Sequence, residues 1–164
     1  MALAGNRFVK LDRTDLRILE ALQADGRISN LNLAKSVGLS PSACLSRVRG
    51  LEARGIITGY RAQVDVELVR PTMMVYAEIT MKQHDLDAFG RFEAFMRGLP
   101  EVLEAYRVSG SIDYMIKVMV TDSRGWRDLA LHLLDEYNID KVTTHIILVS
   151  SKPPSIEPLV SGQF

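Results

Sequence analysis

The chain has 164 residues, and its 20 lysines and arginines balance 20 aspartates and glutamates, so its formal net charge is zero with neutral histidines. That balance argues against a uniformly basic nucleic-acid-binding protein, and a hydrophobic fraction of 47% argues against an acidic disordered chain. No apolar run reaches the roughly 18 to 20 residues of a membrane helix, and the first ten residues lack the apolar core of a signal peptide, so we expect a cytoplasmic protein.

The zero net charge conceals an uneven distribution along the chain. Residues 1–62 contain ten basic and five acidic side chains, so they carry a formal charge of +5 and the remainder carries −5. A basic segment beside an acidic one is typical of a module that binds a polyanion joined to a module with another task. Together with the patterns described below, this split predicts four regions: a basic first domain over 1–62, a linker strand over 63–71, a second domain over 72–150 and a tail over 151–164, which is either a flexible end or an arm over a partner subunit.

Three short helices are predicted in the first domain. A polar capping residue precedes each helix, and a glycine follows the second and the third, where the chain needs a left-handed backbone. The capping residues are Asp12, then Ser29 or Asn30, then Ser40 followed by Pro41, and the glycines are Gly38 and Gly55. A three-residue turn separates the second helix from the third. Two helices joined in this way, behind one supporting helix, form a helix-turn-helix.

The third helix has one buried and one exposed arc when it is drawn at 100° per residue. The buried arc contains Cys44, Leu45, Val48 and Leu51. The opposite arc carries small residues with arginines along its edges, which suits close approach to a major groove. The predicted DNA-binding residues are Lys35, Ser40, Ser42, Ala43, Ser46, Arg47, Arg49 and Arg54, of which Ser42, Ala43, Ser46 and Arg47 are the base readers. The alternative is that these arginines only solvate an exposed helix.

Beyond the linker strand, which ends at Arg70-Pro71, segments of alternating hydrophobicity are interleaved with helical ones. Strands are predicted at 72–81, 102–108, 112–120 and 141–149, and helices at 86–99 and 123–137. The inward residues include Leu86, Phe89, Phe92, Phe95, Met96 and Leu99 of the first helix, and Val142, Thr144, Ile146 and Leu148 of the last strand. The order βαββαβ predicts a ferredoxin-like domain, and hence an α+β protein with an all-α N-terminal domain.

Two helices can cover only one face of such a sheet. The other face carries apolar and mixed residues, so we expect a second copy of the chain to cover it. A two-fold dimer would present two third helices to a pseudo-palindromic operator in double-stranded DNA. Trp126 and the phenylalanines at helical spacing are predicted to be core or dimer interface rather than a cofactor site.

The segment 108–114 between two predicted strands is a candidate ligand loop. Glycine allows a close backbone approach, neighbouring amides and hydroxyls can hold a carboxylate, and Asp113 could pair with an ammonium group. These features suit a small amino acid. By themselves these features are weak evidence for a ligand site, because a Gly-Ser pair between strands is most often only a turn.

Motifs across nearly the whole chain resemble the leucine-responsive and asparagine regulator (Lrp/AsnC) family of prokaryotic transcription factors. The resemblance is most specific in the first third, in the segments 11–19, 26–29, 37–41, 44–45, 47–48 and 51–60. It implies a transcription regulator whose second domain binds amino acids where dimers meet in tetramers or octamers. In relatives a Gly-Asp-aromatic-Asp loop lies near the ligand and aligns here with Gly110, Ser111, Ile112 and Asp113, so two positions depart. The predicted effector-binding residues are Tyr106, Val108, Gly110, Ser111, Ile112, Asp113, Tyr114 and Thr144.

No catalytic residue, cofactor or metal site is predicted. The three histidines and Cys44 have no metal-ligand spacing, and Cys44 lies on a buried arc where an inert core thiol is expected. Two alternatives remain open. One is an architectural protein that compacts DNA without an effector, and the other is an enzyme resembling the family relatives that decarboxylate tetrapyrroles.

Overall fold

The computed structural model describes residues 9–152, which form two compact units that divide after Gln63. The first unit comprises residues 9–63 and the second comprises Val64–Ser151. Of the predicted tail, only residues 151 and 152 fall within this range, so the rest of that prediction lies outside the described residues. Between residues 9 and 152 no helix is long and apolar enough to cross a membrane.

The first unit is a bundle of three helices: α1 (Arg13–Ala24), α2 (Asn30–Val37) and α3 (Pro41–Ala53). Each begins where a side-chain oxygen accepts a backbone N–H of the first turn, and the caps are Asp12, Ser29 and Ser40. Gly38 follows α2 with φ +74° and Gly55 follows α3 with φ +69°, the left-handed conformation that glycine adopts without strain. The predicted helix-turn-helix is confirmed.

The core of the first unit lies where the three helices meet. Ile18, Cys44 and Leu51 are fully buried there, and Val48 packs at the edge. The prediction that Leu45 lies inward is wrong, because its side chain is 37% exposed. Its direction on α3 is about 100° from that of Cys44, so it falls beyond the arc that α1 and α2 cover.

The linker strand predicted over 63–71 is not present in the structure. The segment forms a 3₁₀ turn at Val66–Leu68 between irregular stretches. A strand requires a neighbour to accept its ladder hydrogen bonds, and none of the strands in residues 9–152 pairs with this segment. Val64, Leu68 and Val69 are accordingly more than half exposed.

The second unit contains four strands and two helices in the order βαββαβ. The elements are β1 (Met73–Met81), α4 (Leu86–Gly98), β2 (Val102–Arg107), β3 (Tyr114–Val120), α5 (Ser123–Glu136) and β4 (Ile139–Ile146). The strands form one antiparallel sheet in the order β2-β3-β1-β4. This is the predicted ferredoxin-like topology.

The core of the second unit lies between one face of the sheet and the two helices. Alternate residues of β1 and β3 point into it, among them Ile79, Tyr114 and Ile116, and they meet Phe92 of α4. Three hydrophobic residues predicted to lie inward are exposed instead: Leu86 by 80%, Leu148 by 92%, and Ile146, the last residue of β4, by 50%. Leu86 is the first residue of α4, and Leu148 lies beyond the last residue of β4, so each falls outside the packed part of its element.

Candidate DNA-binding and effector-binding surfaces

The exposed arc of α3 consists of small side chains, as predicted. Ser42, Ala43 and Ser46 are exposed along the first turns of the helix, and Ala53 is exposed at its end. Two contacts hold the start of α3 in place: the Ser40 side chain accepts the Ala43 N–H, and the Asn30 amide of α2 donates to the Pro41 carbonyl at 2.8 Å. The N-terminal half of α3 is therefore a firmly positioned surface that lacks long side chains.

Arg47 turns away from that small surface and towards α1. Its guanidinium Nη1 lies 2.6 Å from Asp12 Oδ2 and 2.8 Å from Asp15 Oδ1. The Asp15 backbone N–H and the Arg47 guanidinium hold the pKa of the Asp12 carboxyl below its usual range. The carboxylates of Asp12 and Asp15 in turn raise the pKa of Arg47. Arg54 is also on this side, with Nη2 3.8 Å from Asp15 Oδ2. We name Asp12, Asp15 and Arg47 the α1–α3 clamp.

The predicted basic residues thus separate into two groups. Arg47 and Arg54 contact carboxylates of the first unit. The side chains of Lys35 and Arg49 are exposed instead and form no hydrogen bond or ion pair with any residue from 9 to 152. The helical wheel explains the difference, because Arg47 lies about 60° from Cys44 and so shares the side that faces α1. The sequence patterns do not predict the pairing of Asp15 with Arg47, because the two residues lie 32 positions apart in the chain.

The loop of residues 108–113 joins β2 to β3, and the side chain of Asp113 ties it to the end of β1 and to His84. Asp113 Oδ2 accepts the Met81 N–H at 2.8 Å, and Asp113 Oδ1 lies 3.1 Å from His84 Nε2. The loop ends are joined by the hydrogen bond from Val108 N to the Asp113 carbonyl, and Gly110 within it has φ +127°. Both oxygens of Asp113 therefore already have partners in the protein.

The predicted effector-binding residues do not converge on one point. Tyr114 is buried on the helix-covered face of the sheet, where its hydroxyl donates to Glu93 at 3.0 Å. Burial and this carboxylate raise the pKa of Tyr114 strongly. Thr144 belongs to the same face and accepts the indole N–H of Trp126 at 3.1 Å, which places Trp126 in the core. Tyr106 instead lies on the opposite face.

No helix of the second unit, as described in residues 64–151, covers that opposite face of the sheet. We name it the open sheet face; it includes Met74, Tyr76, Glu78, Glu104, Tyr106, Met115, Lys117, Met119, Thr143 and His145. Its polar groups pair with one another: Lys117 Nζ lies 3.2 Å from Glu104, and His145 Nε2 lies 3.2 Å from Glu78. The methionines and tyrosines between these pairs leave a flat, largely apolar surface.

One residue near the loop was not among the predicted set. Arg107 ends β2 next to the loop, and its guanidinium carbon lies 3.6 Å from the centre of the Phe89 ring. Within the described chain the guanidinium has no hydrogen bond or ion pair. A basic residue at an inward position of a strand was the only signal in the sequence that could have drawn attention to it.

The remaining reactive side chains do not gather. Each histidine has its own contact: His84 with Asp113, His132 with Phe95 at a ring distance of 5.3 Å, and His145 with Glu78. Burial raises the pKa of the Cys44 thiol. No group of three or more His, Cys, Asp or Glu side chains within 9–152 is placed to hold a metal ion.

A helix-turn-helix unit joined to a ferredoxin-like unit defines a DNA-binding regulator with a separate ligand-binding domain. Comparison with known families agrees, because residues 11–58 match the winged helix-turn-helix DNA-binding model and residues 74–156 match the Lrp/AsnC ligand binding domain. The chain belongs to the Lrp/AsnC family of transcriptional regulators.

Curated relatives match over most of their length. The chain is 40% identical over 143 residues to the leucine-responsive regulatory protein of Haemophilus influenzae, covering 87% of this chain and 86% of the relative. It is 38% identical over 148 residues to the transcriptional regulatory protein DoeX of Halomonas elongata, covering 90% and 94%. These relatives are transcriptional regulators.

Solved structures share the same architecture. A transcriptional regulator of Neisseria meningitidis in complex with L-Met superposes with a TM-score of 0.85 at 32% identity, over 92% of this chain and 98% of that one. An AsnC family regulator of Agrobacterium tumefaciens gives a TM-score of 0.84 at 31% identity, over 91% and 97%.

Proposed function

We propose that this regulator binds a pseudo-palindromic operator as a dimer and adjusts its DNA binding to a small metabolite, with an amino acid as the first candidate. The observation that carries the DNA part is the exposed small face of α3, with its N-terminus fixed by Ser40 and Asn30. A helix whose exposed arc carries Ser42, Ala43 and Ser46 there, with Leu45 at its edge, can approach base edges closely in the major groove.

The basic residues have different roles in this proposal. Lys35 and Arg49 are exposed and unpaired within 9–152, so they are available to phosphates. Arg47 holds α3 against α1 through the α1–α3 clamp and acts on DNA binding as a positioning residue, with Arg54 beside it. This assignment revises the prediction that Arg47 reads bases.

The dimer is proposed to form through the open sheet face. An exposed sheet with Tyr76, Met115 and Tyr106 leaves apolar area in water, and a second copy related by a two-fold axis would bury it. A Met115→Glu variant should shift the protein towards monomer in sedimentation velocity, whereas Leu131→Glu, on an exposed helix position, should not. An unchanged dimer in Met115→Glu would count against this interface.

The effector is proposed to bind near the 108–113 loop. Support comes from the exposed polar loop with Gly110 at positive φ, from the matched ligand-binding domain, and from the Neisseria meningitidis relative solved with L-Met. A thermal-shift screen of the twenty amino acids tests it, because a ligand that binds only the folded state raises the melting temperature. An architectural protein without an effector would show no shift, together with weak sequence preference on DNA.

A further inference from the structure

The 108–113 loop offers several backbone N–H groups that a ligand can reach. The backbone N–H groups of Ser109, Gly110, Ser111 and Ile112 have no acceptor among residues 9–152. Arg107 adds a guanidinium that is exposed and unpaired within the same residues. Donors of this kind, gathered in one short segment, are what a carboxylate requires.

The Arg107 guanidinium is also held in place. It lies over the ring of Phe89, which is itself fixed by edge contacts with Tyr114 at 5.9 Å and His84 at 6.1 Å. An arginine that rests on an aromatic ring keeps its outward N–H groups free, and it loses less side-chain entropy when a ligand arrives. Arg107 is therefore prepared to make a two-pronged contact.

The carboxylates nearby are already engaged. Asp113 is 16% exposed, and its two oxygens face the Met81 N–H and His84. Glu93 accepts the hydroxyl of Tyr114. An ammonium group would find only neutral loop carbonyls without displacing one of these contacts, whereas a carboxylate finds the Arg107 charge and the loop amides.

We propose that Arg107 and the 108–113 loop form a carboxylate receptor that selects small dicarboxylates, such as an acidic amino acid or its 2-oxo acid, over amino acids with uncharged side chains. This inference rests on the proposed effector role of the same loop. One carboxylate binds the Arg107 guanidinium in the bidentate manner, and the loop amides and the hydroxyls of Ser109 and Ser111 bind the other.

The test compares matched probes on the full-length protein. L-Glutamate and L-glutamine have the same size and differ in one carboxylate, and 2-oxoglutarate lacks the ammonium group. At constant ionic strength, thermal shift and calorimetry should show that glutamate and 2-oxoglutarate bind and that glutamine binds more weakly. Arg107→Met keeps the packing on Phe89 and removes the charge, and should weaken dicarboxylate binding by roughly 10- to 100-fold.

Two further variants separate a specific effect from a general one. Arg97→Met removes an exposed arginine from the last turn of α4 and should bind the dicarboxylates as the wild type does. Ser111→Asp, at an exposed loop position, should repel the dicarboxylates, and the uncharged Ser111→Asn should weaken their binding much less.

The outcomes distinguish this inference from the effector proposal. Equal binding of glutamine and glutamate, unchanged in Arg107→Met but altered in Ser111→Asp, would overturn the carboxylate receptor and leave an effector at the loop. Stabilisation by uncharged amino acids alone would do the same. If neither dicarboxylates nor any of the twenty amino acids bind, both proposals fail.

Discussion

The separation of Arg49 from Arg47 leads to a quantitative prediction about salt. Each phosphate that a protein neutralises contributes about 0.9 to the slope of log K against log salt concentration. Arg49 is free to contact one phosphate in each protomer, so Arg49→Ala in a dimer should make the slope shallower by about 1.8. Between 50 and 200 mM salt, that difference amounts to roughly a 12-fold smaller loss of affinity for the variant.

Arg47→Ala should behave differently. Its guanidinium is occupied by the Asp12 and Asp15 carboxylates, so its loss removes a tie between α1 and α3 and no phosphate contact. We expect weaker operator binding at every salt concentration, an unchanged slope and a lower melting temperature of the free protein.

Fluorescence anisotropy with a labelled operator, titrated at several salt concentrations, measures both effects. Arg91→Ala, on an exposed position of α4 in the second unit, is the matched control and should leave slope and affinity unchanged. The reasoning is refuted if Arg47→Ala flattens the salt dependence by the same amount as Arg49→Ala while the melting temperature stays the same.

Three other predictions concern the two cores and the clamp. Leu51→Ala should lower the free energy of unfolding of the first unit by about 2–5 kcal/mol, because it empties a fully buried site, while Leu45→Ala at the 37% exposed position should cost much less in urea melts. Burial raises the pKa of Tyr114 in the folded protein, so its contribution to stability is fully present below pH 10, the ordinary pKa of tyrosine. At higher pH the unfolded chain ionises first, and stability falls. Tyr114→Phe should flatten this alkaline fall, and unaltered alkaline melting would contradict the burial. The lowered pKa of Asp12 adds stability above about pH 4 that is lost on further acidification. Asp12→Asn should reduce that acid sensitivity in melts followed by circular dichroism, and an equal acid loss in both proteins would argue against the clamp.

The clamp also clarifies how charge is used in the first unit. The ten basic side chains of residues 1–62 suggested one DNA-binding surface, yet Arg47 and Arg54 contact Asp15, and Arg17 donates to the Ser36 carbonyl of α2 at 2.7 Å. Part of the positive charge therefore fixes the helices relative to one another. The residues left for phosphate are therefore fewer than the ten basic side chains of this segment.

Apart from the linker strand, the helices and strands and their order follow from local signals in the sequence. Helix starts at Asp12, Ser29 and Ser40 and the stop at Gly38 are signals within a few residues of the chain, because a cap forms between neighbours along the backbone. Alternation in β1 and β3 likewise records which face of a strand is buried. These local rules were sufficient for the helix-turn-helix and for the ferredoxin-like order.

The contacts of the polar side chains follow from the tertiary structure and could not be predicted from the sequence. Periodicity placed Arg47 on an edge of α3, and the carboxylates of α1, more than thirty positions earlier in the chain, determined that it turns inward. Asp113 looked available to a ligand until β1 placed the Met81 N–H against it, and Arg107 gained importance only when Phe89 of α4 lay beneath it. The physical reason is that a charged side chain is directed by its nearest partner in space, and the order of residues along a chain does not specify that partner.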